Sequence, residues 1–319
     1  MEVHCSATII VINTLPHYSF EDMVSKVTGK GVTIRDMTLE ESFGDSLTDV
    51  QCINIDNSRG VWIATLMCTQ YLESAIDSIV VRDDDFRPIG IVGGYDLLDH
   101  LRKNPTRDSQ YKAKVEDIMF RDIPKTEKET KLKDLINSWK RSGRAFAIIH
   151  NEYGDYSPVS ARRMLEVGTR CKTDISISSM PKKKIVTFKV DEPLEQVLNT
   201  MYENKTRKLL LQDSNQYISD RLILGGISRM LNLETDVDDL LHIPINKFDT
   251  EEVKVIKDDL KFDRLCSVMD RMEHPFVMYD DTVITPWDVC LTLLSEKLAT
   301  PLEEFQEQMS CPNCGKPID

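Results

Sequence analysis

The chain has 319 residues, of which 40 are Lys or Arg and 53 are Asp or Glu, giving a formal charge of −13 at pH 7. Charged residues make up 29% and hydrophobic residues 41%, a balance that excludes wholesale disorder. The net negative charge argues against a dedicated nucleic-acid partner, because binding to a polyanion needs a basic face. At this length we expect about two domains.

The longest apolar candidate near the N-terminus is Ala7–Ile12. It is much shorter than the ~20 residues that a membrane helix needs. No basic segment precedes it, so we interpret residues 1–31 as a buried strand with a linker and not as a signal peptide. We therefore expect a cytoplasmic protein without a membrane partner, in which the six scattered cysteines are reduced core residues.

An order of strand, helix, strand, strand and helix is predicted four times along the chain. The first helix of each repeat carries an apolar stripe at positions i, i+3, i+4 and i+7, and in one repeat the last member is polar. The four stripes are Ile63, Leu66, Met67 and Gln70; Leu132, Leu135, Ile136 and Trp139; Leu194, Val197, Leu198 and Met201; and Phe262, Leu265, Cys266 and Met269.

Short apolar runs around these helices predict the strands. The strand before each helix is predicted at 52–55, near Ile123, at 185–188 and at 253–256; the strand after it at 78–81, 146–149, 208–211 and 276–278. The last strand and second helix are predicted within 90–98, 158–165, 223–231 and 283–289. Because about 60 residues hold only a marginal core, we expect the units to pair through their sheets.

Each strand-to-helix segment has a small or hydroxyl residue three positions before a charged one. The four pairs are Gly93 and Asp96, Ser160 and Arg163, Gly226 and Arg229, and Thr285 and Asp288. Together with the opening Val-Glu-Asp-Ile-Met at 115–119, this pattern resembles the cystathionine-β-synthase (CBS) domain over roughly residues 32–298. Two tandem pairs in one chain are similar to the γ subunit of AMP-activated protein kinase and to several stand-alone archaeal CBS proteins.

The resemblance implies an α/β fold of four CBS units paired into two so-called Bateman modules. The first module would span 32–168, with units at about 32–105 and 113–168. The second would span 172–298, with units at about 172–234 and 235–298. Residues 299–319 would form a linker helix and a short cysteine-containing tail.

The resemblance also implies a site for an adenosine compound between paired units. In this family the Asp accepts hydrogen bonds from the ribose, while the hydroxyl residue and a helix N-terminus face the phosphate. The fourth unit keeps both Thr285 and Asp288, and His274 and Pro275 resemble the start of the strand that reads adenine. The other units are incomplete: the first keeps Asp96, the second keeps Ser160, and the third keeps neither group. We expect the first cleft to bind its ligand more weakly than the second, or not at all.

Each predicted module joins one Asp to one Arg, namely Asp96 with Arg163 and Asp288 with Arg229. Such an Arg either contacts the phosphates of a ligand or fills an inactive pocket and pairs with the Asp. Arg207, at the start of a strand, would add positive charge to the second cleft. Without the repeat, Thr285 and Asp288 would simply be an N-cap residue and a first-turn acid.

Cys311 and Cys314 have the Cys-Pro-x-Cys-Gly spacing of one knuckle of a zinc ribbon. A complete site needs more ligands, which leaves three interpretations. Two chains of a homodimer share one zinc ion, or His4 or Cys5 completes the site, or the pair binds no metal.

The resemblance favours a regulatory protein that senses AMP, ADP, ATP or S-adenosylmethionine and acts on a separate protein partner. The alternative is a structural adaptor with mostly inactive pockets that binds RNA or a ribosome. The sequence has no Gly-x4-Gly-Lys-Ser/Thr, Gly-x-Gly-x-x-Gly or Gly-x-Ser-x-Gly motif, so we do not expect an enzyme.

Overall fold

The computed structural model describes residues 33–70, 78–171, 173–232 and 239–298. The strand predicted in 7–12 and the Cys311–Cys314 pair lie outside these residues. Within the described ranges, no helix is long and apolar enough to cross a membrane.

The first half of the chain contains two repeats of strand, helix, strand, strand and helix. They are preceded by 3-10 turns at Ile34–Asp36 and Gly44–Thr48 around the short helix α1 (Leu39–Phe43). The first repeat consists of β1 (Asn54–Asp56), α2 (Val61–Gln70), β2 (Ser78–Arg82), β3 (Pro88–Gly93) and α3 (Gly94–Lys103). After the connecting helices α4 (Arg107–Lys112) and α5 (Val115–Ile118), the second repeat consists of β4 (Lys125–Thr126), α6 (Leu132–Ser142), β5 (Phe146–His150), β6 (Tyr156–Ser160) and α7 (Met164–Thr169).

The second half contains two further repeats with the same order. A 3-10 turn at Ile177–Ser179 and strand β7 (Lys183–Lys184) come before β8 (Thr187–Phe188), α8 (Leu194–Glu203), β9 (Lys208–Leu211), β10 (Gln216–Ser219) and α9 (Asp220–Asn232). Two 3-10 turns at Leu240–His242 and Ile245–Lys247 lead to strand β11 (Glu251–Glu252). The fourth repeat consists of β12 (Lys254–Ile256), α10 (Phe262–Asp270), β13 (Val277–Tyr279), β14 (Thr282–Ile284) and α11 (Pro286–Leu293).

Each repeat builds its own small mixed sheet. The first helix connects two parallel strands, as a crossover connection requires, and the next strand returns antiparallel. Strands β11 and β7, which the sequence did not predict, extend the third and fourth sheets at their edges. Because β11 belongs to the third sheet and β12 to the fourth, the buried Val253 between them joins the two sheets.

Three of the four predicted apolar stripes form the buried faces of their helices. Every stripe residue of α6, α8 and α10 is at most 4% exposed. The stripe predicted on α2 is wrong, because Val61, Ala64 and Thr65 are buried there while Ile63 and Leu66 are only half-buried. Since α2 is apolar on almost every side, its sequence pattern does not single out one face.

The helices and the sheets pack between different pairs of repeats. The helices of the first and third repeats share one apolar core, and those of the second and fourth share another. A cluster between the first and second sheets contains Cys52, Val80, Ile91, Phe146 and Ile148. A cluster between the third and fourth sheets contains Leu210, Tyr217, Val253, Phe276 and Val283. Every repeat therefore packs against one other repeat through its helices and against a different one through its sheet.

The third repeat differs from its prediction. The sequence predicted a strand at the beginning of 223–231, but these residues lie inside α9, and the strand is β10. The nitrogen of Leu222 donates a hydrogen bond to Ser219 Oγ (3.2 Å), so the strand-to-helix turn is at Ser219. Position 226 requires a glycine because a Cβ there would lie 2.4 Å from Phe248 Cδ1. The hydroxyl position is thus Ser219 and not Gly226, and the charged position holds Leu222 and not Arg229.

Candidate functional site

A cavity of about 740 Å³ lies where the second, third and fourth repeats meet. Its wall in the fourth repeat includes Thr285 and the segment His274–Phe276, and its wall in the third includes Arg207 and Ser219. Four of the residues predicted to bind a ligand, Thr285, His274, Pro275 and Arg207, therefore come together at one cavity. A volume of this size is in the range of sites that enclose a small molecule.

The lining of this cavity is strongly basic, although the whole chain is acidic. Eight Lys or Arg residues line it, namely Lys140 and Arg162 from the second repeat, Lys183 and Lys184 from β7, and Lys205, Arg207, Lys208 and Arg221 from the third repeat. The carboxylates in the lining are Asp220 and Glu273. Asp220 is already paired, because Arg207 Nε lies 2.6 Å from its Oδ2. A concave surface with one sign of charge concentrates ligands of the opposite sign, here anions.

Thr285 and Asp288 are bonded to each other at the start of α11. The Oδ2 atom of Asp288 accepts hydrogen bonds from the backbone nitrogen and the hydroxyl of Thr285, both at 2.8 Å. Thr285 lines the cavity, whereas Asp288 is 1% exposed and is not part of the lining. Burial raises the pKa of Asp288 above its ordinary value, and the bonds from Thr285 oppose that rise. Thr285 is therefore the accessible member of the pair, and Asp288 is reached from the cavity only if these bonds rearrange.

A buried aromatic pair lies behind the segment His274–Phe276, since Phe276 is 2% exposed and Tyr217, which does not line the cavity, is 3% exposed. The rings of Tyr217 and Phe276 have their centroids 5.1 Å apart, and the ammonium of Lys208 is 4.8 Å from the centroid of Phe276. Next to them, Nε2 of His274 lies 3.5 Å from a carboxylate oxygen of Glu251. The imidazole lowers the pKa of Glu251. The wall around His274–Phe276 thus carries the positive charge of Lys208 and is backed by two buried rings.

In the first repeat, the oxygens of Asp96 are bonded within the protein. The Nη1 and Nη2 atoms of Arg144 lie 2.9 Å from Oδ2 and 2.5 Å from Oδ1, and the nitrogen of Gly93 also donates to Oδ2. The Arg144 guanidinium also stacks 4.3 Å from the ring centroid of Phe120. Sequence analysis missed Arg144, although its place just before β5 resembles that of Arg207 just before β9. Asp96 is only 7% exposed, so this cleft offers little of its carboxylate.

Ser160, Arg163 and Arg229, which the sequence also predicted to bind a ligand, lie outside the cavity lining. Arg163 is 2% exposed and donates to the carbonyls of Ser46, Leu47 and Pro158, so it anchors the turn before the first repeat and does not face Asp96. Ser160 is fully buried at the end of β6.

Arg229, near the C-terminal end of α9, is outside the cavity lining and pairs with Asp249 at 2.6 Å, where both side chains are more than half exposed. Across the described ranges no group of three or more His, Cys, Asp or Glu residues has a geometry suited to a metal ion. Cys311 and Cys314 lie beyond those ranges.

No family model and no curated protein matches the sequence. Several solved structures resemble its fold. A protein of Methanocaldococcus jannaschii, described as a proposed archaeal homologue of γ-AMPK, is 13% identical with a TM-score of 0.65. The match covers 77% of this chain and 97% of that one. The two proteins therefore share a fold over most of both chains.

Two shorter structures also match. A CBS-domain-containing protein of Agrobacterium tumefaciens is 13% identical with a TM-score of 0.35, covering 44% of this chain and 96% of that one. A CBS domain pair of Methanocaldococcus jannaschii, solved with 5′-methylthioadenosine and S-adenosylmethionine, is 12% identical with a TM-score of 0.33, covering 41% and 98%. Both of these shorter structures are described as CBS-domain proteins, and the fold similarity itself rests on the longer match to the proposed γ-AMPK homologue.

Proposed function

We propose that this chain is a regulatory CBS-domain protein that binds a phosphorylated adenosine ligand and acts on a separate protein partner. The observation that carries the proposal is the basic cavity, whose wall contains Thr285 and the segment His274–Phe276. Thr285 is the N-cap residue of α11, and the positive end of the helix dipole favours an anion there. AMP, ADP and ATP each carry the phosphate that such a basic wall attracts.

The proposal includes the pairing of the four units into two Bateman modules, with boundaries at 32–168 and 172–298. The two apolar clusters between sheets support it, since one joins the first repeat to the second and the other joins the third to the fourth. The ligand cavity belongs mainly to the second module. In the first module, Arg144 holds Asp96 in place of a ligand, so we propose that this cleft does not bind a nucleotide.

A structural adaptor is the second candidate function. It is favoured by the internal bonding of both anchor carboxylates, Asp96 to Arg144 and Asp288 to Thr285. An adaptor would work through its surface, and its basic cavity would serve only an acidic partner or RNA. The adaptor does not require Thr285 and the segment His274–Phe276 to line the same cavity as the cations, which is why we prefer a nucleotide.

Ligand screening of the full-length protein separates the two functions. A ligand at 100 times its dissociation constant raises the free energy of unfolding by about 2.7 kcal/mol, which a thermal-shift assay detects easily. We expect AMP, ADP or ATP to raise the melting temperature, whereas the absence of any response to these and to S-adenosylmethionine would favour the adaptor.

The contribution of Asp288 is tested by replacing it. If the ribose displaces Thr285 from the carboxylate of Asp288, Asp288→Ala should weaken nucleotide binding by about 2–4 kcal/mol, or roughly thirtyfold or more. The reason is that each hydrogen bond to a charged group contributes about 1.5–3 kcal/mol. Asp96→Ala is the matched control in the first cleft and should leave the affinity unchanged. Unchanged affinity in a folded Asp288→Ala protein would show that the ribose is bound elsewhere.

We also propose that the pair Cys311 and Cys314 binds zinc together with the same pair of a second chain. Two thiolates supply half of the tetrahedral set of a structural zinc site. Self-association of the protein would then depend on the metal.

A further inference from the structure

We infer that the hairpin turns of the first two repeats, at 83–87 and 151–155, form a docking surface for a separate protein. The partner that fits this surface has an apolar pocket rimmed by Lys and Arg, and Phe86 and Tyr153 are the anchors that enter it. The inference deepens the proposed function by naming the surface that the partner contacts. It rests on that function only for the existence of a partner, and it does not involve the basic cavity.

The two anchors are aromatic side chains that face water. Phe86 and Tyr153 are the two most exposed large hydrophobic residues in the described part of the chain, at 73% and 70%. Phe86 lies between β2 and β3, and Tyr153 lies between β5 and β6. The two hairpins are fixed beside each other, because Arg82 forms an ion pair with Asp155 and the two sheets share an apolar cluster. Aromatic rings exposed on adjoining turns are typical of a binding surface.

The two turns have the same hydrogen bonds and therefore the same shape. Asp83 Oδ1 accepts hydrogen bonds from the backbone nitrogens two and four positions further on, at 3.0 and 2.8 Å. Asn151 Oδ1 accepts from the nitrogens at the same two positions, at 3.1 and 2.9 Å. The fourth residue of the turn is Phe86 in the first repeat and Gly154 in the second, and their φ angles are +61° and +77°.

Phenylalanine is an unfavourable residue at this position of the turn. A bulky L residue rarely adopts a positive φ, because its Cβ then crowds the backbone, whereas glycine adopts it freely. The second repeat builds the same turn with Gly154, so the turn itself does not require a side chain there. The ring of Phe86 is mostly exposed and adds little to the packing of the described residues. An anchor for a partner explains why such a residue stands here.

The surroundings of the anchors are acidic even when paired charges are set aside. Both arginines of this region are paired with carboxylates of the two turns, Arg82 with Asp155 and Arg87 with Asp85. Among the described residues, three further acids of the turns have no ion-pair partner, namely Asp83, Asp84 and Glu152. Lys and Arg on a partner complement these charges and can also stack on the aromatic rings. An anionic membrane or a nucleic acid would be repelled.

The segments of the chain outside the structure do not complement this surface. Residues 1–32 contain three acidic and two basic residues, and residues 299–319 contain four acidic residues and one basic residue. Two copies of the chain that met through this surface across a twofold axis would bring acid against acid. Charge complementarity therefore favours a separate basic protein over the chain itself.

Peptides selected on the full-length protein from a random phage-displayed library test the surface. We expect them to carry a surplus of Lys and Arg beside an apolar residue. In fluorescence anisotropy, a selected peptide should bind Phe86→Gly about tenfold or more weakly than the unmodified protein. The double variant Asp84→Asn with Glu152→Gln should lose about twofold to tenfold, the range of two exposed ion pairs. Val190→Ser is the matched control, because Val190 is 54% exposed in the third repeat, and it should leave binding unchanged.

The melting temperature and the mass of Phe86→Gly identify the occupant. Because glycine adopts a positive φ freely, the variant should melt at the same temperature as the unmodified protein or up to about 3 °C higher. A lower melting temperature would mean that the ring packs against another segment of this chain. Light scattering in which Phe86→Gly loses a dimer of the unmodified protein would identify a second copy as the occupant. Either result overturns the inference.

The outcomes also separate this inference from the proposed ligand. If no selected peptide depends on Phe86, or if the selected peptides are acidic, the docking surface is wrong, while the response to nucleotides is unaffected. If peptide binding depends on Phe86 but no adenosine compound raises the melting temperature, the docking surface stands and the proposed ligand is wrong.

Discussion

Arg144 of the second repeat binds both carboxylate oxygens of Asp96 in the first, with nitrogen–oxygen distances of 2.9 and 2.5 Å. The pair is almost enclosed, since the Arg144 side chain is 18% exposed and that of Asp96 is 6% exposed. The sequence resemblance placed a ligand ribose at this Asp and named Arg163 as its partner. In the structure Arg144, and not Arg163, pairs with Asp96. Arg163 instead donates hydrogen bonds to the carbonyls of Ser46 and Leu47 in the turn before the first repeat.

Removing Arg144 should destabilise the protein strongly. Arg144→Ala leaves the buried carboxylate of Asp96 without its cation, and breaking such a pair typically costs about 3–5 kcal/mol. Urea unfolding measures this loss. Arg141→Ala, at an exposed position near the end of α6 and outside this ion pair, should stay within about 0.5 kcal/mol of the unmodified protein. Equal stabilities of the two variants would mean that the ion pair does not hold the first two repeats together.

The adjacent glycines of α9 should respond to alanine in opposite directions. A Cβ at Gly226 would lie 2.4 Å from Phe248 Cδ1, so Gly226→Ala should destabilise by about 1–3 kcal/mol through overpacking. A Cβ at Gly225 has only Thr69 Cγ2 near it, at 4.0 Å. Gly225→Ala should therefore stabilise by up to about 1 kcal/mol, the helix preference of Ala over Gly. Thermal unfolding of the two variants measures both effects, and destabilisation by both changes would contradict the packing described here.

The raised pKa of Asp288 predicts a particular pH dependence of stability. Burial raises the pKa of this carboxyl above its ordinary value of 3.8, so the folded protein holds the proton more tightly than the unfolded chain. The contribution of Asp288 to stability is thus greatest below pH 3.8 and is lost as the pH rises through the raised pKa.

Asp288→Asn, which cannot ionise, isolates this effect. The free energy of unfolding of the unmodified protein, minus that of Asp288→Asn, should fall as the pH rises from 3 towards 7. Urea unfolding at several pH values gives this difference, because the other carboxyl groups contribute equally to both proteins. A difference that rises with pH would mean that hydrogen bonds from Thr285 outweigh burial and lower the pKa.

The cysteine tail predicts a metal content that depends on association. If two chains share one tetrahedral site, the protein should contain about half a zinc ion per chain. Metal analysis after purification without chelator tests this, together with the mass of the particle by light scattering. Cys311→Ser should remove the metal and the dimer together, whereas Cys171→Ser changes a buried thiol of the described core and should keep both. A metal-free protein would contradict the shared site.

The sequence by itself determined the buried faces of those helices whose apolar residues recur at a regular spacing. The stripes on α6, α8 and α10 were read correctly, because a helix buries residues every three to four positions wherever it packs. The same reasoning predicted that Thr285 lies at a strand-to-helix turn, as it does. It failed on α2, where apolar residues surround the helix, and on α9, where the Gly225–Gly226 pair looked like the end of a strand.

Only the tertiary structure decided which charged groups meet. Asp96 and Arg144 are far apart in the sequence, and their pairing depends on how two repeats pack, which no local pattern records. The same is true of the cavity, since its cations come from the second repeat, the third repeat and β7 and collect around one space in a chain of net charge −13. Charge pairing acts through space over a few ångströms, so it follows the packing of the repeats and not their order along the chain.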